Sequence, residues 1–344
     1  MPESKIHNVL VIAEAGVNHD GNMEQALKLV DVAADAGADL VKFQTFDASA
    51  LATANAALAE YQEKASGAPS QADAAGQLAM LKQLQLSEQD HIELIAHCED
   101  RGIGFFSTAF DLRSLDFLAD IGAKRFKVPS GEITNLPYLR RIASFRKEII
   151  MSTGMADLKE IGEAIGCLEA AGLPKDKITL LHCTTEYPAP IEEVNLRAMS
   201  AMGGTFGVAV GYSDHTDGID VAIAAVAMGA SVIEKHFTLD RNLPGPDHRA
   251  SLEPSALKEM IGSVRRIESA LGSEHKQCTA SERKNIMLVR KSIVAARAIQ
   301  KDEVLSEESL TVKRPASGLS PMMWDDVIGK RASRSFKPDE VIEL

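Results

Sequence analysis

The sequence contains few cysteines, and their spacing forms no pair. Cys98, Cys167, Cys183 and Cys278 are far apart, and no Cys-x-x-Cys motif occurs. This pattern disfavours a disulfide framework and a structural zinc site, and it fits a reducing compartment. The N-terminal segment also lacks the cleavage pattern of a signal peptide. We therefore expect a cytoplasmic protein.

Long apolar runs and an excess of positive charge are missing as well. No segment approaches the run of about 18 uncharged apolar residues that a membrane-spanning helix needs. Lysine and arginine total 37 against 49 acidic residues, so the net charge is −12. This balance argues against nucleic acid as a partner, and no membrane partner is predicted. In a protein with this negative net charge, lysines at a strand end point to a binding site for an anionic substrate. Such a site needs positive charge placed locally, because the protein as a whole repels anions.

The sequence does contain a regular alternation of strand-like runs and amphipathic, helix-like segments. Eight such units in about 260 residues favour a closed TIM (β/α)8 barrel over an open doubly wound sheet. No GxGxxG motif follows the first strand, which weakens a dinucleotide-binding fold. The strand-like runs end near Gly16, Thr45, Thr108, Ser130, Gly154, Thr184, Asp214 and Phe237.

Two segments depart from this alternation. An Ala-, Gln- and Ser-rich insertion occupies 46–86, longer than a usual connection, and we expect a lid over the barrel mouth rather than a decorative helical excursion. The barrel is predicted to end at 271, followed by a polar linker at 272–284. Short β-type runs at 285–344 predict a small β-rich domain that cannot bury much core unaided. It therefore packs on its own barrel or on a second subunit.

Two histidines stand where strand-like runs end, in GYSDHT and VIEKHF. His215 and His236 belong to neighbouring strands of the predicted barrel, and polar groups at the carboxyl ends of barrel strands converge on one mouth. Two imidazoles with carboxylates nearby suit an open site for a divalent metal. Two hydrogen-bonded histidines at a polar rim are the alternative.

Lysines and hydroxyl groups occupy the ends of other strands. Lys42 and Lys127 supply positive charge, and serine, threonine and glycine backbone groups supply directed donors, which together suit a phosphate. The lysines could instead form structural salt bridges with Glu14 or Glu132, or one could form a Schiff base. The hydroxyl residues at these strand ends include Thr108, Ser130 and Ser152.

Ten sequence blocks together resemble the sialic acid synthase family, whose members make nonulosonic acids. The resemblance extends over essentially the whole chain, and it implies a TIM barrel followed by a small antifreeze-like (SAF) domain. It also implies condensation of phosphoenolpyruvate with an N-acetylated mannose-type sugar, with release of phosphate. The blocks are IAEAGVNHDG, VKFQTF, KVPSGEITNLPYL, MSTGM, LLHCTTEYP, VGYSDHT, IEKHFTLD, GPDHRASLEP, SERKN and VKRP.

The resemblance also implies a role for individual residues. His215 and His236 match metal ligands, for Mn²⁺ or alternatively Mg²⁺ or Co²⁺, and Glu14 matches the carboxylate near the attacking water. The positions that match phosphoenolpyruvate contacts are Lys42, Thr108, Lys127, Ser130 and Ser152. Those that match sugar contacts are Gln44, Tyr187, Asp247 and Arg314, the last supplied by the partner subunit of a domain-swapped homodimer.

The acceptor sugar is less well defined. We expect an N-acetylneuraminate synthase, with an N,N'-diacetyllegionaminate synthase that uses 2,4-diacetamido-2,4,6-trideoxymannose as the alternative. Thr184 stands where the family more often has asparagine, close to the sugar side. Two other classes are a non-catalytic sugar- and phosphate-binding barrel and a sugar-acid phosphate synthase. The intact set of Glu14, His215 and His236 argues against the first, and the C-terminal module argues against the second.

Overall fold

A computed structural model describes residues 9–53 and 76–344. The chain divides into two compact units, the first ending at Gly272 and the second beginning at Ser273. The first unit contains eight parallel strands in the hydrogen-bonded order β3-β2-β1-β8-β7-β6-β5-β4, and β3 and β4 at the two ends of this order lie against each other. The predicted (β/α)8 barrel is thereby confirmed. The strands are β1 Leu10–Gly16, β2 Leu40–Thr45, β3 Gly104–Ala109, β4 Arg125–Val128, β5 Glu148–Ser152, β6 Ile178–His182, β7 Ala209–Asp214 and β8 Val232–His236.

Helices alternate with these strands and begin at local sequence signals. Ser87 and Asp90 form a capping box, Asp157 and Glu160 form another, and Asn22 caps the first long helix. No helix of the described residues is long and apolar enough to cross a bilayer. The helices of the first unit are α1 Met23–Ala36, α2 Ala48–Leu51, α3 Gln77–Leu84, α4 Glu88–Arg101, α5 Leu112–Asp120, α6 Leu136–Ser144, α7 Leu158–Ala170, α8 Arg197–Phe206, α9 Asp220–Ala227 and α10 Pro254–Leu271.

A layer of apolar side chains fills the interior of the barrel: Ile12, Phe106, Ile150, Leu181 and Val232. Side chains alternate between the two faces of a strand, so the residues two positions later also point inward. Those positions lie nearer the carboxyl ends, where every side chain except that of Cys183 is polar or charged. They carry Glu14, Thr108, Ser152, Cys183 and Glu234. The alternation thus places polar groups directly above the apolar layer.

Strand β4 is shorter than predicted. The run was expected to continue to about Ser130, but β4 ends at Val128, and Ser130–Glu132 forms a 3-10 turn. Pro129 lies between the two elements, and a proline has no N–H to donate to a neighbouring strand. Ser130 therefore stands in a turn above the barrel instead of in the sheet.

Only the ends of the predicted 46–86 lid lie within the described residues. Residues 54–75 lie outside them, so the lid stays a prediction. The flanking helices α2 and α3 pack in one apolar cluster with Val17 and Phe46. A side chain at Gly21 would place its Cβ 2.1 Å from the Gln83 carbonyl oxygen, so a glycine is required where α3 meets the loop after β1.

The second unit contains one two-stranded antiparallel sheet, β9 Ser292–Ala295 with β10 Leu310–Lys313. The later β-type runs, VIGKRASRSF and EVIEL, were expected to be strands, but they form only isolated bridges such as Ile299 with Phe336. The segment predicted as a linker is helical from Ala280, in α11 Ala280–Val289, because Thr279 and Glu282 form a capping box there. A four-residue helix, α12 Trp324–Val327, completes the unit.

Candidate active site

The carboxyl ends of the barrel strands surround a cavity of about 460 Å³. Every predicted site residue of the first unit lines it: Glu14, Lys42, Gln44, Thr108, Lys127, Ser130, Ser152, Tyr187, His215, His236 and Asp247. Arg314 belongs to the second unit, where its Nε donates a hydrogen bond to the Val289 carbonyl oxygen at 2.8 Å. A wider groove of about 970 Å³ lies beside the cavity, but no charged residue in its lining is buried.

Four buried charged side chains form the floor of the cavity. The Lys42 ammonium lies 3.1 Å from Glu14, 3.1 Å from Glu234 and 3.1 Å from the Thr108 hydroxyl. The Lys127 ammonium donates to both Glu234 oxygens, at 2.8 and 3.1 Å. The salt-bridge alternative is therefore present for both lysines, with Glu234 rather than Glu132 as the partner of Lys127.

Glu234 is a site residue that was not predicted from the sequence. It interrupts the apolar run of β8 two residues before His236, at an inward position, and this spacing is the signal that could have identified it. Burial alone would raise the pKa of Glu234, but Lys127 and Lys42 outweigh burial and hold its pKa below the ordinary value. Glu234 is consequently a permanent carboxylate between the two lysines.

Glu14 differs from Glu234 in its electrostatic environment. Burial raises the pKa of Glu14 to about 7, with Lys42 acting against this shift and Glu234 adding to it. A carboxyl group with a pKa near neutrality can both accept and return a proton. Gly16 preserves space beside it, because a Cβ there would lie 3.3 Å from Glu14 Oε1 and 3.4 Å from His236 Cε1. Glu14 and His236 thus face a common space.

The two lysines also differ from each other. The pKa of Lys127 is lowered by burial, which Glu234 only partly offsets. Burial also acts to lower the pKa of Lys42, but Glu14 and Glu234 together outweigh it and hold the pKa above the ordinary value. The Lys42 ammonium therefore contacts two protein carboxylates, whereas the hydrogen bonds of the Lys127 ammonium within the described residues go to Glu234 alone.

His215 is held in a defined tautomer. Its Nδ1 donates to the Thr184 carbonyl oxygen at 2.6 Å, and burial lowers the pKa of the ring to about 4, so the ring is neutral and Nε2 has a lone pair. Nε2 lies 3.4 Å from the Ser213 hydroxyl, whose proton is donated to Glu234 at 2.9 Å. The lone pair of Nε2 is therefore left available for a ligand.

His236 lies beside His215, with 5.7 Å between the ring centroids. Burial lowers the pKa of His236 well below its ordinary value, and its buried Nδ1 has no hydrogen-bond partner within the described residues. Asp247 Oδ2 is 3.9 Å away, and burial raises the pKa of Asp247 to about 6. The ring of Tyr187 packs on His215, with 4.2 Å between centroids.

These residues fit a divalent metal ion. Two neutral imidazoles face one cavity, and the unpartnered Nδ1 of His236 is a buried polar atom that a metal or a donor group would satisfy. No group of three or more His, Cys, Asp and Glu side chains in the described residues is arranged to hold a metal. The residues would thus hold such an ion through two protein nitrogen atoms, His215 Nε2 and a ring nitrogen of His236, in an open site accessible to water or substrate.

Hydroxyl groups also line the cavity. Ser130 Oγ accepts a hydrogen bond from the Gly154 backbone N–H at 3.0 Å. Thr184 lines the neighbouring groove and not the cavity, and its hydroxyl lies 3.5 Å from the Glu193 carbonyl oxygen. Thr185 was not among the predicted site residues, but it lines the cavity, and its buried hydroxyl has no partner within the described residues. Sequence position alone does not distinguish these two adjacent threonines.

Comparison with known proteins adds the family context. The NeuB family pattern matches residues 29–276, and the SAF domain pattern matches residues 290–344. The chain is 53% identical to the N,N'-diacetyllegionaminic acid synthase of Campylobacter jejuni, over 97% of this chain and 98% of the relative. It is 46% identical to the protein of the same name from Legionella pneumophila, over 97% and 93%.

A solved structure shares the fold. The N-acetylneuraminic acid synthetase of Leptospira borgpetersenii, crystallised with citrate, superposes with a TM-score of 0.69 and is 33% identical. The superposition covers 81% of this chain and 90% of that one. The relatives named for diacetyllegionaminic acid are thus more similar to this chain than the one named for N-acetylneuraminic acid.

Proposed function

This chain belongs to the NeuB family, and we propose that it condenses phosphoenolpyruvate with 2,4-diacetamido-2,4,6-trideoxymannose to form N,N'-diacetyllegionaminate and inorganic phosphate. The observation that carries the proposal is a single cavity lined by two buried lysines, two neutral histidines and Glu14. The acceptor is inferred from the names of the relatives at 53% and 46% identity. N,N'-diacetyllegionaminate synthesis therefore replaces N-acetylneuraminate synthesis as the preferred activity.

Phosphoenolpyruvate is proposed to bind between the lysines and the hydroxyl groups of Thr108, Ser130 and Ser152. Lys127 is its principal cation, because Lys42 already serves Glu14, Glu234 and Thr108. Glu234 keeps both ammonium groups at the cavity floor without accepting a proton itself. A charge-assisted hydrogen bond from Lys127 to the phosphate or carboxylate is about twice as strong as a neutral one.

The reaction joins a weak carbon nucleophile to an aldehyde. The C2=C3 π electrons of phosphoenolpyruvate form the new bond from carbon 3 to the aldehyde carbon of the open-chain sugar, and the aldehyde oxygen takes a proton and becomes a hydroxyl. Water then adds to the cationic carbon 2 and loses a proton, which leaves a tetrahedral centre. Phosphate departs from this centre with the C–O bond electrons while the hydroxyl on carbon 2 loses its proton and becomes the ketone of the product. When bound by His215 and His236, a divalent ion such as Mn²⁺, Mg²⁺ or Co²⁺ would supply positive charge to the aldehyde oxygen.

Glu14 is proposed to orient the water and to take its proton. Its carboxylate lies at the cavity floor, 3.1 Å from the Lys42 ammonium, and its pKa of about 7 permits transfer in both directions. The cavity holds both reactants in contact, which can contribute about 7–11 kcal/mol relative to a free encounter. Glu14 therefore acts on reactants whose translational and rotational entropy was already lost on binding.

The acceptor is proposed to lie against Gln44, Tyr187 and Asp247, with Arg314 of a second subunit completing the site in a homodimer. One side of the cavity is apolar, which supports an acceptor with a methyl group at C6 over one with a hydroxymethyl group. The apolar residues that line it are Val17, Leu51, Met80, Leu81, Leu84 and Phe110.

Phosphate release with parallel acceptors tests the proposal. The protein is incubated with phosphoenolpyruvate, Mn²⁺ and either 2,4-diacetamido-2,4,6-trideoxymannose or N-acetylmannosamine, and kcat/KM is measured for each. The diacetamido sugar should give the higher value, with N,N'-diacetyllegionaminate identified by mass. A higher value for N-acetylmannosamine would reverse the acceptor assignment. Binding of both reactants with no phosphate release from either would instead support a non-catalytic barrel.

A further inference from the structure

A second buried ion pair lies just outside the cavity, behind the two histidines. The Lys235 ammonium is 2.9 Å from Asp214 Oδ2, and both side chains are 0% exposed. Lys235 also donates to the Thr216 carbonyl oxygen at 2.5 Å. The other oxygen of Asp214 accepts hydrogen bonds from the Thr216 N–H at 2.9 Å and from its hydroxyl at 2.7 Å. The pair therefore holds the backbone on both sides of His215.

The strand register connects this pair to the histidines. Asp214 on β7 stands opposite Lys235 on β8, and each immediately precedes one histidine. Ser213, His215, Glu234 and His236 line the cavity, whereas Asp214 and Lys235 do not, as the alternation of side chains requires. On each of the two strands, the histidine thus faces the cavity, and the residue before it faces the opposite side, where Asp214 and Lys235 form the ion pair.

Stability does not explain why these two residues are charged. Desolvating a buried ion pair costs about as much as its attraction returns, and apolar side chains of similar volume are often equally stable there. The pair instead orients the backbone around His215, because four contacts fix the turn after β7 relative to β8. The Nδ1 bond of His215 to Thr184 then fixes the plane of the ring.

We propose that Asp214 and Lys235 are positioning residues that set the separation of His215 and His236 and thereby the affinity for a divalent metal. The inference rests on the metal-binding part of the proposed function. Neither residue touches a ligand in the cavity, so both act only through the backbone of the histidines. Loss of this kind of support typically weakens metal binding by about 10- to 100-fold.

Direct Mn²⁺ binding to the full chain, without substrates, tests this role. The double variant Asp214→Asn, Lys235→Met removes the ion bridge while the asparagine oxygen can still accept from Thr216. Its Kd for Mn²⁺, measured from the electron paramagnetic resonance signal of the free ion, should rise by about 10-fold or more, with Tm near that of the unsubstituted protein. Arg125→Met, Glu148→Gln removes a cross-strand ion pair between β4 and β5, and it should leave the Kd unchanged.

The outcomes separate positioning from a purely structural role. A folded double variant with an unchanged Kd overturns the inference, even if its Tm falls. Should the double variant not fold, Thr216→Val removes only the hydroxyl contact to Asp214, and a weaker Mn²⁺ affinity at unchanged Tm is expected. An unchanged Kd in that variant also overturns the inference. Absence of Mn²⁺ binding by the unsubstituted protein would refute the metal assignment itself, whereas binding without synthase activity would refute only the proposed reaction.

Discussion

Replacing Lys127 with methionine should weaken phosphoenolpyruvate binding while the barrel stays folded. Methionine retains the length of the lysine stem and removes the ammonium group. Glu234, the partner of Lys127, keeps a contact to Lys42 at 3.1 Å and a hydrogen bond from Ser213 at 2.9 Å. No carboxylate is therefore left without a partner by this substitution.

The expected magnitude follows from the contacts of the two lysines. A hydrogen bond to a charged group contributes about 1.5–3 kcal/mol, which corresponds to a rise in the Kd for phosphoenolpyruvate of about 10- to 150-fold. Lys42→Met should behave differently, because it deprives Glu14 of its cation at 3.1 Å. Breaking a buried ion pair in this way costs about 3–5 kcal/mol of folding free energy, so Lys42→Met should lower Tm markedly.

Isothermal titration with phosphoenolpyruvate and, separately, with the acceptor sugar provides the measurement, and thermal unfolding reports Tm. Lys159→Met is the matched control, since that side chain is 81% exposed and does not line the cavity. The reasoning is refuted if Lys127→Met binds phosphoenolpyruvate normally and loses affinity for the sugar alone. The anion would then lie elsewhere in the cavity.

Three further predictions concern the chemistry, the metal and the assembly. Glu14→Gln should bind both reactants yet release phosphate slowly in a single turnover, since the amide retains hydrogen bonding but cannot take a proton; a normal kcat would leave Glu14 only an orienting role. His215→Ala and His236→Ala should each lose Mn²⁺ binding and phosphate release while remaining folded, and full turnover after exhaustive chelation would contradict this. Mixing His236→Ala chains with Arg314→Ala chains should restore activity toward half the wild-type value per heterodimer, because one composite site then carries neither lesion. No recovery in proven heterodimers would mean that Arg314 serves its own barrel.

The sequence by itself determined the barrel and which residues reach its mouth. Strand and helix periods specify which side chains point inward, and the carboxyl end of each strand is where the apolar run stops. Lys42, Lys127, His215 and His236 could therefore be predicted as neighbours in space before any contact was known. The helical start at Ala280 was also readable from the Thr279 and Glu282 capping signal, although it was assigned to a linker.

Only the tertiary structure decided which inward groups pair with each other. Glu234 and Lys127 are 107 positions apart, and closing the ring of strands brings their side chains together at 2.8 Å. Periodicity specifies the face of a strand but not the partner across the barrel, so it could not show that Glu234 serves both lysines. It could not assign Asp214 and Lys235 to one buried pair either, because that contact depends on the register between β7 and β8. The division between Glu14, with a pKa near 7, and the permanently charged Glu234 arises from those pairings and from burial, which exist only in the folded barrel.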